Sequence, residues 1–163
     1  MEIRHLEQQD WEKLVRLYNY YIKTSPCTFD VETTTAARRT PWFTQFAPDT
    51  KHQCLVAIDD NKLLGYACST KFKERPAYNT SIEVSVYTAF DNKVGGLGTQ
   101  LYDSLFSRLA SFDLHRAYAG IVLPNPASVG LHTKLGFNQV GLYNEVGYKF
   151  DQYWDVAWFE KRL

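Results

Sequence analysis

An alternating strand that runs into a glycine-rich loop and then into an amphipathic helix is the feature that most constrains this chain. Residues 81–88 (SIEVSVYT) alternate between an apolar face and a polar face that carries Glu83. Residues 91–98 read DNKVGGLG, and apolar residues recur every third or fourth position from Leu97 to Phe112. Glycines leave backbone N–H groups accessible and a helix start carries partial positive charge, so the junction can bind an anion. A strand carboxylate beside such a junction indicates an enzyme.

Length, charge and cysteine content limit the class of protein. At 163 residues the chain can form one domain, residues 1–163, whose core needs no disulfide. The formal net charge is zero, so no overall field attracts nucleic acid or a membrane surface. The widely spaced Cys27, Cys54 and Cys68 contain no CxxC pair, which disfavours a disulfide framework or a metal site. A polar start to the chain and the lack of a long apolar run favour a cytoplasmic protein.

Hydrophobic periodicity elsewhere predicts short strands around a few helices. One helix begins after Asp10, which we expect to cap it, and a second spans about residues 36–46 with Pro41 as an interruption. A polar four-residue loop, residues 59–62, joins two strands as an antiparallel hairpin. The predicted class is α+β, with a mixed, mostly antiparallel central sheet and about four helices packed on it. Strands are expected near residues 1–6, 53–58, 63–72, 81–88, 117–123, 138–143 and 147–159, and the last helix near residues 127–135.

The glycine-rich loop fits neither of the two commonest phosphate-binding motifs. A P-loop needs GxxxxGK[ST], which the chain lacks. A dinucleotide-binding loop needs a third glycine, but Leu101 stands there. What remains is Lys93-x-x-Gly96-x-Gly98, which on its own indicates either an anion-binding loop or a turn in which the glycines only relieve strain.

Motifs along almost the whole chain resemble the GNAT superfamily of N-acetyltransferases, and within it the phosphinothricin acetyltransferase branch. The family's loop reads R/Q-x-x-G-x-G/A, and here Lys93 stands in place of its Arg or Gln. The order and spacing of the further motifs make the resemblance specific. They are CTFD at residues 27–30, RPAY at 75–78, IEVSVY at 82–87, LPNPAS at 123–128, LHTKLGF at 131–137 and EVGYKF at 145–150.

The resemblance implies acetyl-CoA as the cofactor. Its pyrophosphate would bind the backbone of the glycine loop, with Lys93 as a point charge that lacks the fork of an arginine. Its pantetheine arm would pair with the strand backbone like an additional strand. Asn125 and Ser128 would hold its amides, although capping of the following helix is an alternative role for both. The implied cofactor-binding residues are Val86, Thr88, Lys93, Val94, Gly95, Gly96, Leu97, Gly98, Thr99, Asn125 and Ser128.

Amide formation assigns roles to two further side chains. An ammonium must lose a proton before it can attack, and Glu83 is the expected general base, unless it merely pairs with a neighbouring cation. A backbone N–H near Val86 or Tyr87 would polarise the thioester carbonyl. His132 stands where many members of the superfamily have a tyrosine that protonates the departing thiolate, so it is either this acid or a structural histidine. The predicted catalytic residues are therefore Glu83 and His132, without a metal.

The acceptor side is implied by resemblance alone. Arg75 and Tyr78 would hold a substrate carboxylate. Phe29, Tyr87, Lys149, Phe150 and Tyr153 would line the acceptor pocket, with a solvated strand face as the alternative for Lys149 and Tyr153. The branch implies a homodimer and an acceptor amine like that of phosphinothricin or methionine sulfoximine. The alternatives are acetylation of a polyamine, an aminoglycoside or a protein N-terminus, or a non-catalytic acyl-CoA-binding sensor.

Overall fold

The computed structural model describes all 163 residues and contains one seven-stranded sheet covered on both faces by helices. The α+β class, the mostly antiparallel sheet and the four helices agree with the prediction. The strands lie in the order β1-β2-β3-β4-β5-β7-β6, and only the β4–β5 pair is parallel. In chain order the elements are β1 Glu2–His5, α1 Trp11–Thr24, α2 Ala36–Phe43, β2 Cys54–Asp59, β3 Lys62–Lys71, β4 Ser81–Thr88, α3 Leu97–Leu109, β5 Arg116–Leu123, α4 Pro126–Lys134, β6 Asn138–Lys149 and β7 Gln152–Arg162.

Two cores hold the helices against the sheet. On one face α3 buries Leu97, Leu101 and Leu105 against the apolar side of β4, where Ile82 and Val84 point. On the other face α1 and α2 cover a second cluster, which also includes side chains from β2 and β3. The strand alternation predicted for residues 81–88 is therefore correct, because its apolar face packs under α3 and its polar face points toward α1 and α2. None of the helices combines the length and the apolar composition that crossing a membrane requires.

Local boundaries differ from the prediction at three places. The β2–β3 turn contains two residues, Asp60 and Asn61, both with positive φ, because Asp59 pairs with Lys62. Asp10 precedes α1 without capping it, since its carboxylate accepts hydrogen bonds from the Arg4 guanidinium at 2.7 and 3.0 Å. Residues 147–149 end β6 and do not begin the last strand. Phe150 and Asp151 make the β6–β7 turn, again at positive φ.

Candidate active site

The parallel β4–β5 pair opens into a gap after three rungs. Ser81 to Glu83 pair with Arg116 to Tyr118, and the two strands diverge beyond this point. The Thr80 carbonyl accepts a hydrogen bond from His115 N–H of the segment leading into β5, and Ala89 N–H donates to β3. Because backbone groups of a strand alternate in direction, Val84 and Val86 direct their N–H and C=O groups into the gap. Tyr87 N–H faces β3 instead. Of the two residues predicted to polarise the thioester carbonyl, only Val86 therefore directs its N–H into the gap.

The gap leads into a cleft of about 690 Å³ whose walls contain most of the predicted cofactor residues. Several residues that line the cleft were not predicted as site residues, among them Tyr21, Cys27, Asn92 and Tyr102. Lys93 is exposed near the cleft and makes no ion pair, and Gly95 is exposed as well, but neither contributes to the walls. The predicted residues that line the cleft are Val86, Tyr87, Thr88, Val94, Gly96, Leu97, Gly98, Thr99, Asn125, Ser128 and His132.

The glycine loop presents free backbone donors at the start of α3. Gly96 has φ +71° and ψ 15°, a left-handed conformation that glycine adopts without strain, and no side chain caps the helix. The N–H groups of Leu97, Gly98 and Thr99 make no hydrogen bond, since the first bonded amide is Gln100 N–H to the Gly96 carbonyl at 3.1 Å. These donors and the helix dipole suit the pyrophosphate of acetyl-CoA.

Asn92 explains how the loop keeps its shape, a role that the sequence analysis missed. Its Oδ1 accepts a hydrogen bond from Val94 N–H at 3.0 Å, and its Nδ2 donates to the Val94 carbonyl at 3.2 Å. Val94 N–H is therefore already occupied and is not one of the free donors. An asparagine two residues before a turn is the usual signal for such an arrangement.

Asn125 and Ser128 form the cap that was considered as their alternative role. Asn125 Oδ1 accepts a hydrogen bond from Ser128 N–H at 3.1 Å and so caps α4. Both residues also line the cleft, where the Asn125 amide nitrogen makes no hydrogen bond within the protein. Capping and ligand contact are thus compatible at this position.

Glu83 lies on the last rung before the gap and has no partner. It pairs with Tyr118 as the third and final β4–β5 rung, on the sheet face that α1 and α2 cover. Its half-buried carboxylate makes neither a hydrogen bond nor an ion pair with the protein, so the alternative of a structural salt bridge does not hold. Burial raises the pKa of Glu83. A carboxylate with a raised pKa and free oxygens can accept a proton near neutral pH.

His132 is buried and both of its ring nitrogens are engaged. Nδ1 lies 2.8 Å from the Ser128 carbonyl, which can only accept, so Nδ1 carries the proton. Nε2, 3.0 Å from the Tyr102 hydroxyl, then accepts its hydrogen bond. Burial also lowers the pKa of His132, which favours this neutral form. Tyr102, which the sequence analysis did not identify as a site residue, thus holds the ring of His132, and both residues line the cleft.

The predicted acceptor residues lie at three places: the loop before β4, the cleft, and the end of β6 with its turn. Arg75 and Tyr78 are exposed on the loop before β4, where residues 76–78 form a short 3₁₀ turn. Phe29 packs against Gly147 of β6, far along the chain. Tyr87 lines the cleft, whereas Phe150 and Tyr153 are exposed at the β6–β7 turn. The remaining member of the set is Lys149.

Lys149 lies neither on a solvated strand face nor free in an acceptor pocket, because its ammonium group is hydrogen-bonded within the protein. Its side chain is buried, and Nζ donates to the carbonyls of Ser25 and Thr28, each at 2.8 Å. Burial lowers the pKa of Lys149. The lysine therefore fastens the end of β6 to residues 25–28, whose first three members form part of the cleft wall.

Comparison with known proteins places this geometry in a family. The model of the acetyltransferase (GNAT) domain matches residues 3–158. Phosphinothricin N-acetyltransferase of Streptomyces coelicolor is 46% identical over 165 residues, which cover 100% of this chain and 96% of the relative. The L-methionine sulfoximine/L-methionine sulfone acetyltransferase of Pseudomonas aeruginosa is 31% identical, with 99% and 94% of the two chains covered.

A solved structure agrees in fold. Phosphinothricin acetyltransferase from Sinorhizobium meliloti, in complex with acetyl-CoA, superposes with a TM-score of 0.93 at 24% identity over 99% of this chain and 88% of the other. The cleft, the unpaired strand backbone and the free N–H groups before α3 fit the same cofactor. The chain therefore belongs to the GNAT acetyltransferases, enzymes that use acetyl-CoA as the acetyl donor.

Proposed function

We propose that this protein transfers the acetyl group of acetyl-CoA to the α-amine of a small amino-acid-like acceptor, of the phosphinothricin or methionine sulfoximine type, by direct attack in a ternary complex. The observation that carries the proposal is the unpartnered Glu83 carboxylate on the last β4–β5 rung, directly before Val84 and Ser85, which line the cleft. The relatives named for these two acceptors support the acceptor class.

The residues around the gap would divide the chemistry between them. Acetyl-CoA supplies a thioester, which is reactive toward an amine that has lost its proton. Glu83, directly or through a water, would take this proton from the ammonium. Val86 N–H, directed into the gap, would donate a hydrogen bond to the carbonyl oxygen as negative charge develops there. Free donors at Leu97 to Thr99, with Lys93 nearby, would hold the pyrophosphate.

Protonation of the departing thiolate needs little help from the protein. A thiol has a pKa of about 8.5, so the thiolate is a good leaving group near neutral pH. His132 as the acid would need a proton on Nε2, the nitrogen that accepts from Tyr102. The hydrogen bonds and the lowered pKa of His132 support a positioning role, in which it fixes the Tyr102 hydroxyl at the cleft wall.

Two alternatives make different demands on the site. Acetylation of a polycation, such as a polyamine or an aminoglycoside, would gain from an acidic surface, and the net charge of zero offers no such overall field. The Glu83 carboxylate is half-buried without a partner, which lowers the stability of the fold. A non-catalytic acyl-CoA-binding sensor would not require such a group. Acetylation of a protein N-terminus is distinguished by the acceptor assay below.

We also propose a single acetyltransferase domain, a homodimer and a cytoplasmic location. Strands from both ends of the chain share one sheet, which supports the single domain. Edge strand β6 and its turn expose a group of apolar side chains, and such a patch supports an interface between two copies. Three free cysteines suit a reducing compartment. The exposed apolar side chains are Val140, Leu142, Tyr143, Val146, Tyr148 and Phe150.

The decisive experiment measures release of free CoA thiol with phosphinothricin, methionine sulfoximine, a polyamine and a peptide N-terminus. We expect turnover with the first two acceptors and a fall in kcat of about 10²- to 10⁴-fold in Glu83→Gln, with acetyl-CoA affinity by calorimetry unchanged. Glu12→Gln, at an exposed position on α1, is the matched control and should behave as wild type. Unchanged turnover in Glu83→Gln would refute the base assignment, and no turnover with any amine would favour the sensor.

A further inference from the structure

Arg39 of α2 carries a nearly buried charge that the fold does not satisfy. Its side chain is only 14% exposed, and none of its five N–H donors makes a hydrogen bond within the protein. Nε is fully buried without any partner. Buried charges in folded proteins are normally paired and hydrogen-bonded, so a guanidinium in this state needs an explanation.

The surroundings hold Arg39 in place and give it one long ion pair but no hydrogen bond. The guanidinium carbon lies 4.3 Å from the centre of the Tyr18 ring and 4.4 Å from that of Trp42, which gives it two aromatic contacts. The nearest carboxylate, Asp30, is 3.8 Å from Nη1, too far for a hydrogen bond, and it is more than half exposed. Asp30 instead accepts from the Tyr18 hydroxyl at 2.8 Å. The aromatic rings fix the orientation of the guanidinium and leave its N–H groups free for an acceptor.

This cation lies on the same sheet face as Glu83 and is separated from the cleft wall by the ring of Tyr18. Tyr18 contacts both Arg39 and Tyr87, and Tyr87 lines the cleft. Cys68 of β3, which stands opposite Ser85 and diagonal to Glu83, is within electrostatic reach of both charges. Burial raises the pKa of Cys68 to about 12, Glu83 adds to the rise and Arg39 opposes it.

The distance from Glu83 decides which part of an acceptor could reach Arg39. The two rings that hold Arg39 also contact the sheet: the Tyr18 ring centre is 5.7 Å from that of Tyr87 on β4, and the Trp42 ring centre is 6.3 Å from that of Tyr66 on β3. The guanidinium therefore lies over the β3–β4 part of the sheet, beyond the ring of Tyr18. In an α-amino acid the carboxylate carbon is two bonds from the amine. In phosphinothricin the phosphorus of the side chain is four bonds from the amine, so its oxygens extend farther. A side-chain oxyanion therefore matches Arg39 better than the α-carboxylate does.

We propose that Arg39 is a specificity-determining residue that binds the side-chain oxyanion of the acceptor and makes the enzyme prefer an anionic acceptor over a neutral one of the same shape. This inference rests on the proposed function, because it takes Glu83 as the place of the acceptor amine. The planar guanidinium presents paired donors that suit a phosphinate or a carboxylate. Arg75, exposed on its loop, remains available for the α-carboxylate.

The test compares two acceptors that share the α-amine and the α-carboxylate. Phosphinothricin carries an anionic phosphinate, and methionine sulfone carries a neutral sulfone at the same chain position. In Arg39→Gln we expect kcat/KM for phosphinothricin to fall about tenfold to a hundredfold more than kcat/KM for methionine sulfone. Arg39→Lys should keep part of the preference, since it retains the charge without the fork. Arg38→Gln, at the exposed neighbouring position in α2, should keep all of it.

The ratio of the two acceptors separates binding from folding. A variant that is merely less stable loses activity toward both acceptors by the same factor, and this result, or an unchanged preference, would overturn the inference. Calorimetric titration of phosphinothricin into the CoA complex gives a second measurement that needs no turnover. Binding by wild type that Arg39→Gln abolishes supports the inference even if the proposed transfer reaction fails, and a wild type that does not bind phosphinothricin overturns it.

Discussion

Two adjacent glycines in the glycine loop, Gly95 and Gly96, offer a matched measurement of backbone strain. An added methyl group would meet no atom within 4 Å at either Gly95 or Gly96. The two positions differ in backbone conformation, because Gly96 has φ +71° and Gly95 does not have a positive φ. Alanine in the left-handed region costs about 1–2 kcal/mol. For a chain of this size each kcal/mol lowers Tm by about 2–4 °C, so Gly96→Ala should melt about 2–8 °C below wild type.

Gly95→Ala should leave Tm unchanged or raise it slightly, because alanine reduces the entropy of the unfolded chain without strain in the folded one. Thermal unfolding followed by circular dichroism gives both values. Titration with acetyl-CoA should show weaker binding only for Gly96→Ala, since Gly96 immediately precedes the free N–H groups of residues 97–99. Equal Tm values for the two variants would refute the argument that the left-handed conformation at Gly96 sets the shape of the loop.

Three further predictions concern stability. Burial raises the pKa of Glu83, so the folded protein holds that proton more tightly than the unfolded chain, and stability falls as pH rises above about 4.5. The Tm of Glu83→Gln should therefore exceed that of wild type by a margin that grows from pH 4 to pH 7, and a constant margin would contradict it. Tyr102→Phe leaves Nε2 of His132 buried without a donor, so the free energy of unfolding in urea should fall by about 1–3 kcal/mol. An unchanged free energy of unfolding would show that this hydrogen bond does not stabilise the fold. Leu101→Ala, at a fully buried position under the sheet, should cost about 2–5 kcal/mol in the same assay, and a smaller loss would mean that the core closes around the cavity.

Sequence reasoning succeeded where the signal is local. The alternation of residues 81–88 placed Glu83 on the correct face, because a strand has a period of two whatever it pairs with. The loop and the start of α3 followed from glycines and from the spacing of leucines. Thr35 caps α2 by accepting from Arg38 N–H at 3.2 Å, an interaction between residues only three positions apart.

The remaining features depend on contacts between distant residues. Lysines are seldom buried, so nothing near Lys149 indicated that the carbonyls of Ser25 and Thr28 would accept from it. Tyr102 and His132 are thirty positions apart, and their hydrogen bond exists only because α3 and α4 pack together. The β6–β7 turn uses Phe150 and Asp151 at positive φ without a glycine, which explains why the boundary was predicted too early.

The three-rung pairing of β4 with β5 links the lifetime of this protein to metabolism. Backbone groups that lack a strand partner are a weak point from which a sheet can open locally, and such openings are the starting point for proteolysis. Acetyl-CoA bound at the gap, as proposed, would favour the closed, folded chain by mass action, by about 2.7 kcal/mol at a concentration one hundred times Kd. Cells rich in acetyl-CoA would then retain more of the enzyme, and starved cells would degrade it faster, without any change in its synthesis.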